Sequence, residues 1–412
     1  MKTLLLLGAG REQLLAINQA HELGLNVVAC DQNPEAPGLA QADHAVVGDI
    51  RDPEAMYGVA RQHDVSGVFT HAVEIPDVVA LVAWRLGLPG LDPEIAARAT
   101  NKVRRIRHLT EQGIPCARYA VADTESDLMS AAERIGFPLV IKPTDSAGAR
   151  GVRVVASQPE LPPAYRDAVA YSRRTQVILE EVMQGPEVST ESVVFEGVVR
   201  TFAFADRNYA NSMSFYPYFI EDGINYPSAL PEVTQRSVYE LVERTIKSLG
   251  ITWGAAKGDV IVDAGVPKII EMAARTSGGW FGAGSISIAT GTNMLKPLIQ
   301  MAVGDQPELE ALEPTRALGC AQRYVIPTEE GIVLSVTGVE EALAMPGVEM
   351  AEMFLPAVGQ RIRRATNHAE RLGQIICSGP TRDSAITRCE EAVSRIRLHL
   401  RHAGQQGRPC HL

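Results

Sequence analysis

The chain has 412 residues and a formal charge of 39 − 49 = −10. That length predicts two or three domains with a sizeable core, and the acidic balance argues against non-specific nucleic-acid binding. Hydrophobic residues make up 46% and charged residues 21%, an ordinary balance for a globular protein, and no run approaches the roughly 20 apolar residues that span a bilayer. The opening MKTLLLLGAG has an apolar run too short for a secretion signal. Cys30, Cys116, Cys320, Cys377, Cys389 and Cys410 include no C-x-x-C pair. They read as reduced thiols of a cytoplasmic protein, with neither a zinc site nor a disulfide frame.

Residues 1–95 alternate strand and helix, which predicts an open parallel sheet. Thr3 to Leu7 is a buried strand, Gly8-Ala9-Gly10 a tight turn, and Arg11 to Leu23 a helix. Asn26 to Cys30 is the next strand and ends at Asp31. Asp52 to His63 is a helix between strands at Val46-Val47 and Val68 to Thr70. A strand, a Gly-x-Gly turn, a helix and a later acid resemble a dinucleotide fingerprint, which would make the chain an NAD-linked oxidoreductase. Gln13 stands where the third glycine belongs. The competing reading is a Rossmann-like domain whose crevice is empty or reassigned, with Asp31 capping a loop.

Residues 96–135 read as mostly helical. Asn101-Lys102 opens a basic helix to Glu111, either a solvated face or a means for Lys102 to reach a phosphate. Gly113-Ile114-Pro115 ends it, Cys116 to Val121 reads as a strand, and Glu125 to Ile135 is an amphipathic helix. The stretch FPLVIKPTDSAGARGVRVV, residues 137–155, follows. An apolar strand ending in Lys142 is stopped by a proline, and the ammonium at its end needs water or an anion. Ser146, Gly148, Arg150 and Gly151 form a small-residue tip whose amides can converge on phosphate. The alternative is an ordinary hairpin with a mobile tip.

Val177 to Leu179 is a strand running into Glu180 and Glu181. Backbone amides beyond these acids, through Met183, suit the edge of an adenine, and Glu187 suits ribose hydroxyls. A charged strand end and turn is the plainer alternative. Val188 to Phe195 and Val198 to Ala205 form a hairpin. Residues 206–231 make a long aromatic loop, expected to be a lid on the substrate side.

After a helix over 232–249 comes GAAKGDVIVDAGVPKIIEMAARTSGGWFGAG, residues 254–284. Two strands joined at 263–267 place Asp259 opposite Glu271. Like charges directly opposed destabilise a sheet unless a cation lies between them, and two oxygen donors suit Mg²⁺. Arg275 can clamp a phosphoryl group or a carboxylate, and Ser277-Gly278-Gly279 offers amides to another anion. Beyond about 308 the strands Cys320 to Ile326, Gly331 to Val336, Glu349 to Phe354 and Gln374 to Ser378, with a helix over Ser384 to His399, read as a closing domain with few catalytic candidates. His402 and His411 fall in a polar tail expected to lack order.

In this order, Asn101-Lys102, the VIKP strand, the SAGARGV loop, Glu180-Glu181 with GPE, Asp259 and EMAAR-TSGG resemble the ATP-grasp superfamily over residues 1 to about 300. The nearest branches are carboxylate–amine ligases, including L-amino-acid ligases, glycinamide-ribonucleotide synthetases and biotin-carboxylase-like enzymes. The resemblance implies an α/β and α+β multidomain protein with the ATP-grasp fold. A Rossmann-like N-terminal domain would span 1–95 and the ATP-grasp domain 96–307, with a nucleotide-covering part at about 120–185. A β-rich C-terminal domain would span 308–412.

The resemblance also implies roles. Lys102 and Lys142 would contact the phosphates of ATP, under a mobile loop from Ser146 to Gly151 that includes Gly148 and Arg150. Glu180, with the backbone of Glu181 to Met183, would hold adenine, and Glu187 the ribose. Asp259 and Glu271 would bind Mg²⁺, and Arg275 an acyl phosphate or substrate carboxylate. Lys257 is a further cation near the phosphates, either catalytic or paired with an acid. Relatives commonly carry asparagine two residues after the second metal acid, where Ala273 stands here, so the number of Mg²⁺ ions is open. The implied reaction joins a carboxylate, probed first as an amino acid, to an amine through an acyl phosphate. Alternatives are a carboxylase, a phosphoryl transferase, or a nucleotide-binding subunit without turnover. Relatives are often homodimers, although no interface is legible in this chain.

Overall fold

A computed structural model describes residues 1–402 and the strand Arg408–His411. The run of four leucines decides the first domain. Leu4 and Leu6 face one side of their strand and Leu5 and Leu7 the other, all fully buried. A strand apolar on both faces belongs in the middle of a covered parallel sheet. Thr3–Leu7 lies between Asn26–Asp31 and Gly67–Phe69, with His44–Val47 beyond, all parallel. Helix Gln13–Glu22 covers one face and helices Pro53–Gln62 and Pro76–Arg85 the other.

The turn after the first strand is closed by the chain itself. The Ala9 amide donates to Asp31 Oδ2 at 2.8 Å, and the Gly38 amide donates to the Ala9 carbonyl at 2.7 Å. Gln13 donates from Nε2 to the His71 carbonyl at 2.6 Å. The Ala9 amide that a dinucleotide pyrophosphate would use is therefore engaged, and the nicotinamide reading loses its physical basis. Asp31 is a loop staple, as the competing reading expected.

A small antiparallel sheet forms the second piece, in the order Tyr119–Ala122, Val177–Glu181, Leu139–Pro143, Arg153–Val155. Leu139 and Ile141 turn into a core made with helices Leu128–Ile135 and Leu161–Ala170. By alternation, Val140 and Lys142 turn to the other face, which lines a cavity.

The central sheet has eight strands. In order they are Val266–Ala273, Gly254–Asp263, Glu187–Phe195, Val198–Asn208, Gly223–Tyr226, Gly319–Val325, Gly373–Gly379 and Val348–Met353. Helix Glu232–Leu249 packs on one face through Val238, Val242, Ile246 and Leu249. Helix Leu295–Ala302 packs the N-terminal domain against the sheet.

Three expectations change here. The 206–231 segment is not all lid, because Gly223–Tyr226 is a strand of the central sheet and pairs with Gly319–Val325. The sheet therefore runs straight across residue 308, and the C-terminal region extends the same core. The helix expected over Ser384 to His399 is Arg382–Arg395, and Arg397–Arg401 is a strand. Its alternation buries Leu398 and Leu400 against Val333 and Ile362, in a second sheet that includes Arg408–His411. His402 belongs to no loose tail: its Nδ1 is 2.8 Å from the Glu330 carbonyl. The side chain of His411 lies outside the described residues. No helix among the described residues is long and apolar enough to cross a membrane.

The N-terminal domain is tied to the site by Thr276, which is 1% exposed. Its Oγ1 accepts from the Ala72 amide at 2.8 Å and lies 3.0 Å from His71 Nδ1. Burial pushes the His71 pKa down to about 4, so the ring is neutral. Thr276→Val strands the Ala72 amide. The expected loss is about 1–3 kcal/mol, read as a lowered denaturation midpoint with an unchanged slope.

Candidate active site

One cavity of about 790 Å³ opens where these pieces meet, within the roughly 300–1,000 Å³ typical of ligand sites. Val140, Val182, Met183, Ile106 and Ile269 give it apolar walls. Lys102, Lys142, Ser146, Gly148, Arg150, Glu180, Glu181, Glu187, Lys257, Asp259, Glu271 and Arg275 also line it.

Gly151 does not. It has φ +70°, and a Cβ there would sit 2.8 Å from the Ala168 backbone. It is glycine because helix Leu161–Ala170 packs against the loop, which corrects its expected place over the phosphates. The loop itself is closed: the Gly148 carbonyl accepts from the His368 amide at 3.0 Å. The small sheet is held down as well, because the Val154 amide donates to the Pro217 carbonyl at 2.8 Å.

Asn101 caps its helix by accepting from the Arg104 amide at 2.9 Å, which leaves Lys102 at the first turn, facing the cavity. Its ammonium donates to the Ser146 carbonyl, and burial lowers its pKa. Lys142 pairs with Glu180 across the small sheet. Arg150 Nε donates to the Ala147 carbonyl at 3.0 Å. Glu181 accepts from the Arg118 amide at 3.0 Å and Arg118 Nε at 2.7 Å. Burial opposes ionisation of Glu181, but these bonds hold its pKa low. Its side chain thus fixes the edge of the small sheet.

The hairpin over 254–273 carries a β-bulge at Ile270, and this one-residue shift sets Asp259 directly opposite Glu271. The Lys257 ammonium lies between them, in contact with Asp259 and 3.3 Å from Glu271 Oε2. Arg207 Nη1 is 2.8 Å from Asp259, and Arg105 Nη2 is 3.3 Å from Glu271. Burial would raise both acids. Arg207 and Lys257 overcome it at Asp259, and Lys257, Arg105 and Lys102 overcome it at Glu271, which lies well below its ordinary value. Two ionised carboxylates on adjacent strands are suitable donors for a hard divalent cation that takes its remaining oxygens from phosphate and water. Among the described residues, no cluster of three or more His, Cys, Asp or Glu could hold a metal by itself.

Several site residues were not legible in the sequence. Arg207 sits two residues beyond the expected end of its strand, which runs to Asn208. It contacts Glu221 at 2.9 Å and approaches Glu187 at 3.8 Å. The period-two alternation through Ala203 and Ala205 was the available signal. Burial raises the Glu187 pKa against Arg207. The C-terminal region contributes Gln322, Tyr324, His368 and Arg371, against the expectation of few catalytic candidates. Arg371 stacks on Tyr324 at 3.5 Å.

The amides of Ser277, Gly279 and Trp280 are taken by carboxyl groups of the protein itself. Ser277 donates to Glu191 Oε1 at 2.6 Å, and Gly279 and Trp280 donate to Glu12 at 2.9 and 3.4 Å. Five residues that line the cavity each also hold a buried donor without a hydrogen-bond partner: Ser146 Oγ, Ser277 Oγ, and Nε of Arg207, Arg275 and Arg371.

Comparison with known proteins follows this geometry. Residues 99–279 match the ATP-grasp domain, and residues 323–401 match the L-amino acid ligase C-terminal domain 2. A formate-dependent phosphoribosylglycinamide formyltransferase of Synechococcus is 35% identical over 44% of this chain, and that match spans about half of the relative, 48%. The Burkholderia pseudomallei protein of the same name is 26% identical over 95% of this chain and 94% of its own length. The crystal structure of an L-amino acid ligase from Bacillus licheniformis superposes with a TM-score of 0.84 at 23% identity, covering 98% of this chain and 99% of that one. The chain thus carries an ATP-grasp domain over residues 99–279, followed by an L-amino acid ligase C-terminal domain 2, and shares its fold with ATP-grasp proteins over nearly its whole length.

Glu191 makes a pH test possible. It is fully buried, Oε2 has no partner, and burial pushes its pKa from 4.5 to about 7, against the Ser277 amide. The folded chain keeps this proton up to about pH 7, the unfolded chain only to about 4.5. The contribution is therefore full below 4.5 and is lost as pH rises through 7, by at most about 3 kcal/mol. Glu191→Gln cannot ionise. The fall in denaturation midpoint from about pH 5 to about pH 8 should be shallower in the variant. Parallel profiles would show that Glu191 titrates normally.

Proposed function

We propose that the chain joins a carboxylate to an amine at the expense of ATP, with an amino acid as one substrate. The observation that carries this reading is the set of cations lining one cavity, Lys102, Lys142, Lys257 and Arg275, beside the ionised pair Asp259 and Glu271 and several apolar walls. The apolar walls suit a base. Lys102, Lys142 and the loop at Ser146 to Arg150 suit a polyphosphate. The acid pair is the fitting place for Mg²⁺, which when bound would neutralise charge on the phosphates. The amino-acid assignment draws on the C-terminal match to the L-amino acid ligase domain and on Arg207, Arg275 and Arg371 along the cavity.

The chemistry follows from leaving groups. A carboxylate resists attack because oxide would have to leave. Its oxygen attacks the γ-phosphorus of ATP, the bond to ADP breaks, and an acyl phosphate forms. The amine then attacks the acyl carbon, phosphate leaves, and the amine proton passes to phosphate or solvent. Lys142 would leave Glu180 for the transferring group, and Arg275 would hold the acyl phosphate or the substrate carboxylate. The closed loop keeps water from the intermediate.

The test is phosphate release from Mg-ATP against amino acids and other carboxylates, offered singly and in pairs. Release that needs two substrates, with an amide in the product mass spectrum, is expected. Release with bicarbonate alone would assign carboxylation instead. Lys142→Ala and Glu271→Ala should each lower kcat by about 10²–10³ or more with unchanged circular dichroism. Near-full turnover in either variant would overturn the site assignment.

A further inference from the structure

Every oxygen of the acid pair is already in use. Asp259 Oδ1 accepts from Ser189 Oγ at 2.8 Å, and Oδ2 meets Arg207 and the Lys257 ammonium. Glu271 Oε1 meets Arg105, and Oε2 meets Lys257. Two carboxylates thus face three cations. Among the described residues Lys257 is the one cation that touches both, and the ladder explains why it fits. Its direct neighbour is Ala273 on one side and Glu191 on the other. A methyl group at 273 brings no oxygen to the pair and leaves room for the ammonium. Glu191 adds a carboxyl near Lys257 from the opposite strand.

From this arrangement we propose that Lys257 is the resident cation of the acid pair and excludes a divalent cation until a polyphosphate arrives. A metal entering alone would bring two positive charges beside Arg207, Arg105 and Lys257, and it would have to displace Lys257 into a cavity lined by Lys102, Lys142 and Arg275. A polyphosphate changes the balance. It brings several negative charges, accepts the displaced ammonium, and supplies the oxygens that the pair lacks for an octahedral ion. Metal and nucleotide would then enter together. The inference deepens the proposed reading and rests on it for the identity of the polyphosphate, but not for the role of Lys257.

The experiment uses the full chain and Mn²⁺ as the probe, with free Mn²⁺ read by electron paramagnetic resonance. Without nucleotide, Lys257→Met should bind Mn²⁺ about tenfold or more tightly than the unaltered chain. The further change Asp259→Asn should remove that gain, which ties it to the acid pair. Lys257→Arg should keep the exclusion. Equal Mn²⁺ affinity in the unaltered chain and Lys257→Met would overturn the proposal. If Lys257→Met does not fold, Lys257→Gln makes the same comparison. A second arm adds a non-hydrolysable ATP analogue to the unaltered chain and should tighten Mn²⁺ binding by about tenfold or more. The Mn²⁺-only arm contains no nucleotide, so it decides the role of Lys257 whether or not ligase turnover is found. A chain that binds no analogue fails the proposed function, not this one.

Discussion

The structure depends on compensating charges that it has buried. Asp259, Glu187, Glu221 and Arg207 are all largely withdrawn from water, with Lys257 and Glu271 beside them. An isolated ion in such a place costs several kcal/mol, and pairing recovers this only where geometry and hydrogen bonds are complete. Here no single piece of the fold can complete them. Arg105 comes from the helix before the small sheet, Arg207 from the middle of the central sheet, and Lys257 and both acids from its edge hairpin. Glu221 precedes the strand that links to the C-terminal region. Arg371 lies beyond it and reaches back to Glu221, donating to its carbonyl at 2.6 Å. The site is thus also the joint that fixes how the pieces assemble.

The same economy bears on closure. The loop at 146–151 is fastened at its tip by one backbone bond from His368, and the neighbouring strand by the amide of Val154. Each bond is worth about 1 kcal/mol net, so the cover can open at modest cost. Within the small sheet, Glu181 grips both the amide and the guanidinium of Arg118, and Lys102 adds a bond from the helix to the Ser146 carbonyl of the loop.

What the sequence makes legible is whatever short range determines. The leucine run at 4–7 announces a doubly covered strand, and a short turn pairs the strands that carry Asp259 and Glu271, although a β-bulge at Ile270 is what sets the two acids directly opposite. Lys142 at a strand end is legible because its ammonium has nowhere apolar to go. Arg207, Arg371, Glu12 and Glu191 are not, since each acts on a partner far along the chain. Glu12 meets Gly279 across 267 positions. The final helix was misjudged for a local reason. Arg397-Leu398-His399-Leu400-Arg401 alternates with period two, and the strong helical spacing before it masked the change. Gly151 looked like part of a phosphate cradle because composition alone cannot separate a glycine that faces a ligand from one that faces a helix.

The turn at 277–280 carries the consequence for recognition. Backbone amides converging there would ordinarily receive a substrate anion. Glu191 takes the Ser277 amide and Glu12 those of Gly279 and Trp280, and burial pushes Glu12, like Glu191, to a pKa of about 7. A substrate carboxylate therefore finds most of this nest already taken. The cavity also carries the guanidinium-bearing Arg207, Arg275 and Arg371. Guanidinium groups keep their charge at any working pH and hold a carboxylate in a defined plane. Arg275 leans towards Glu74 of the N-terminal domain at 3.6 Å, and Arg371 stacks on Tyr324 of the C-terminal region. On the proposed reading the substrate anion is gripped from both flanks of the cavity, so its binding and the closure of the two flanks favour each other.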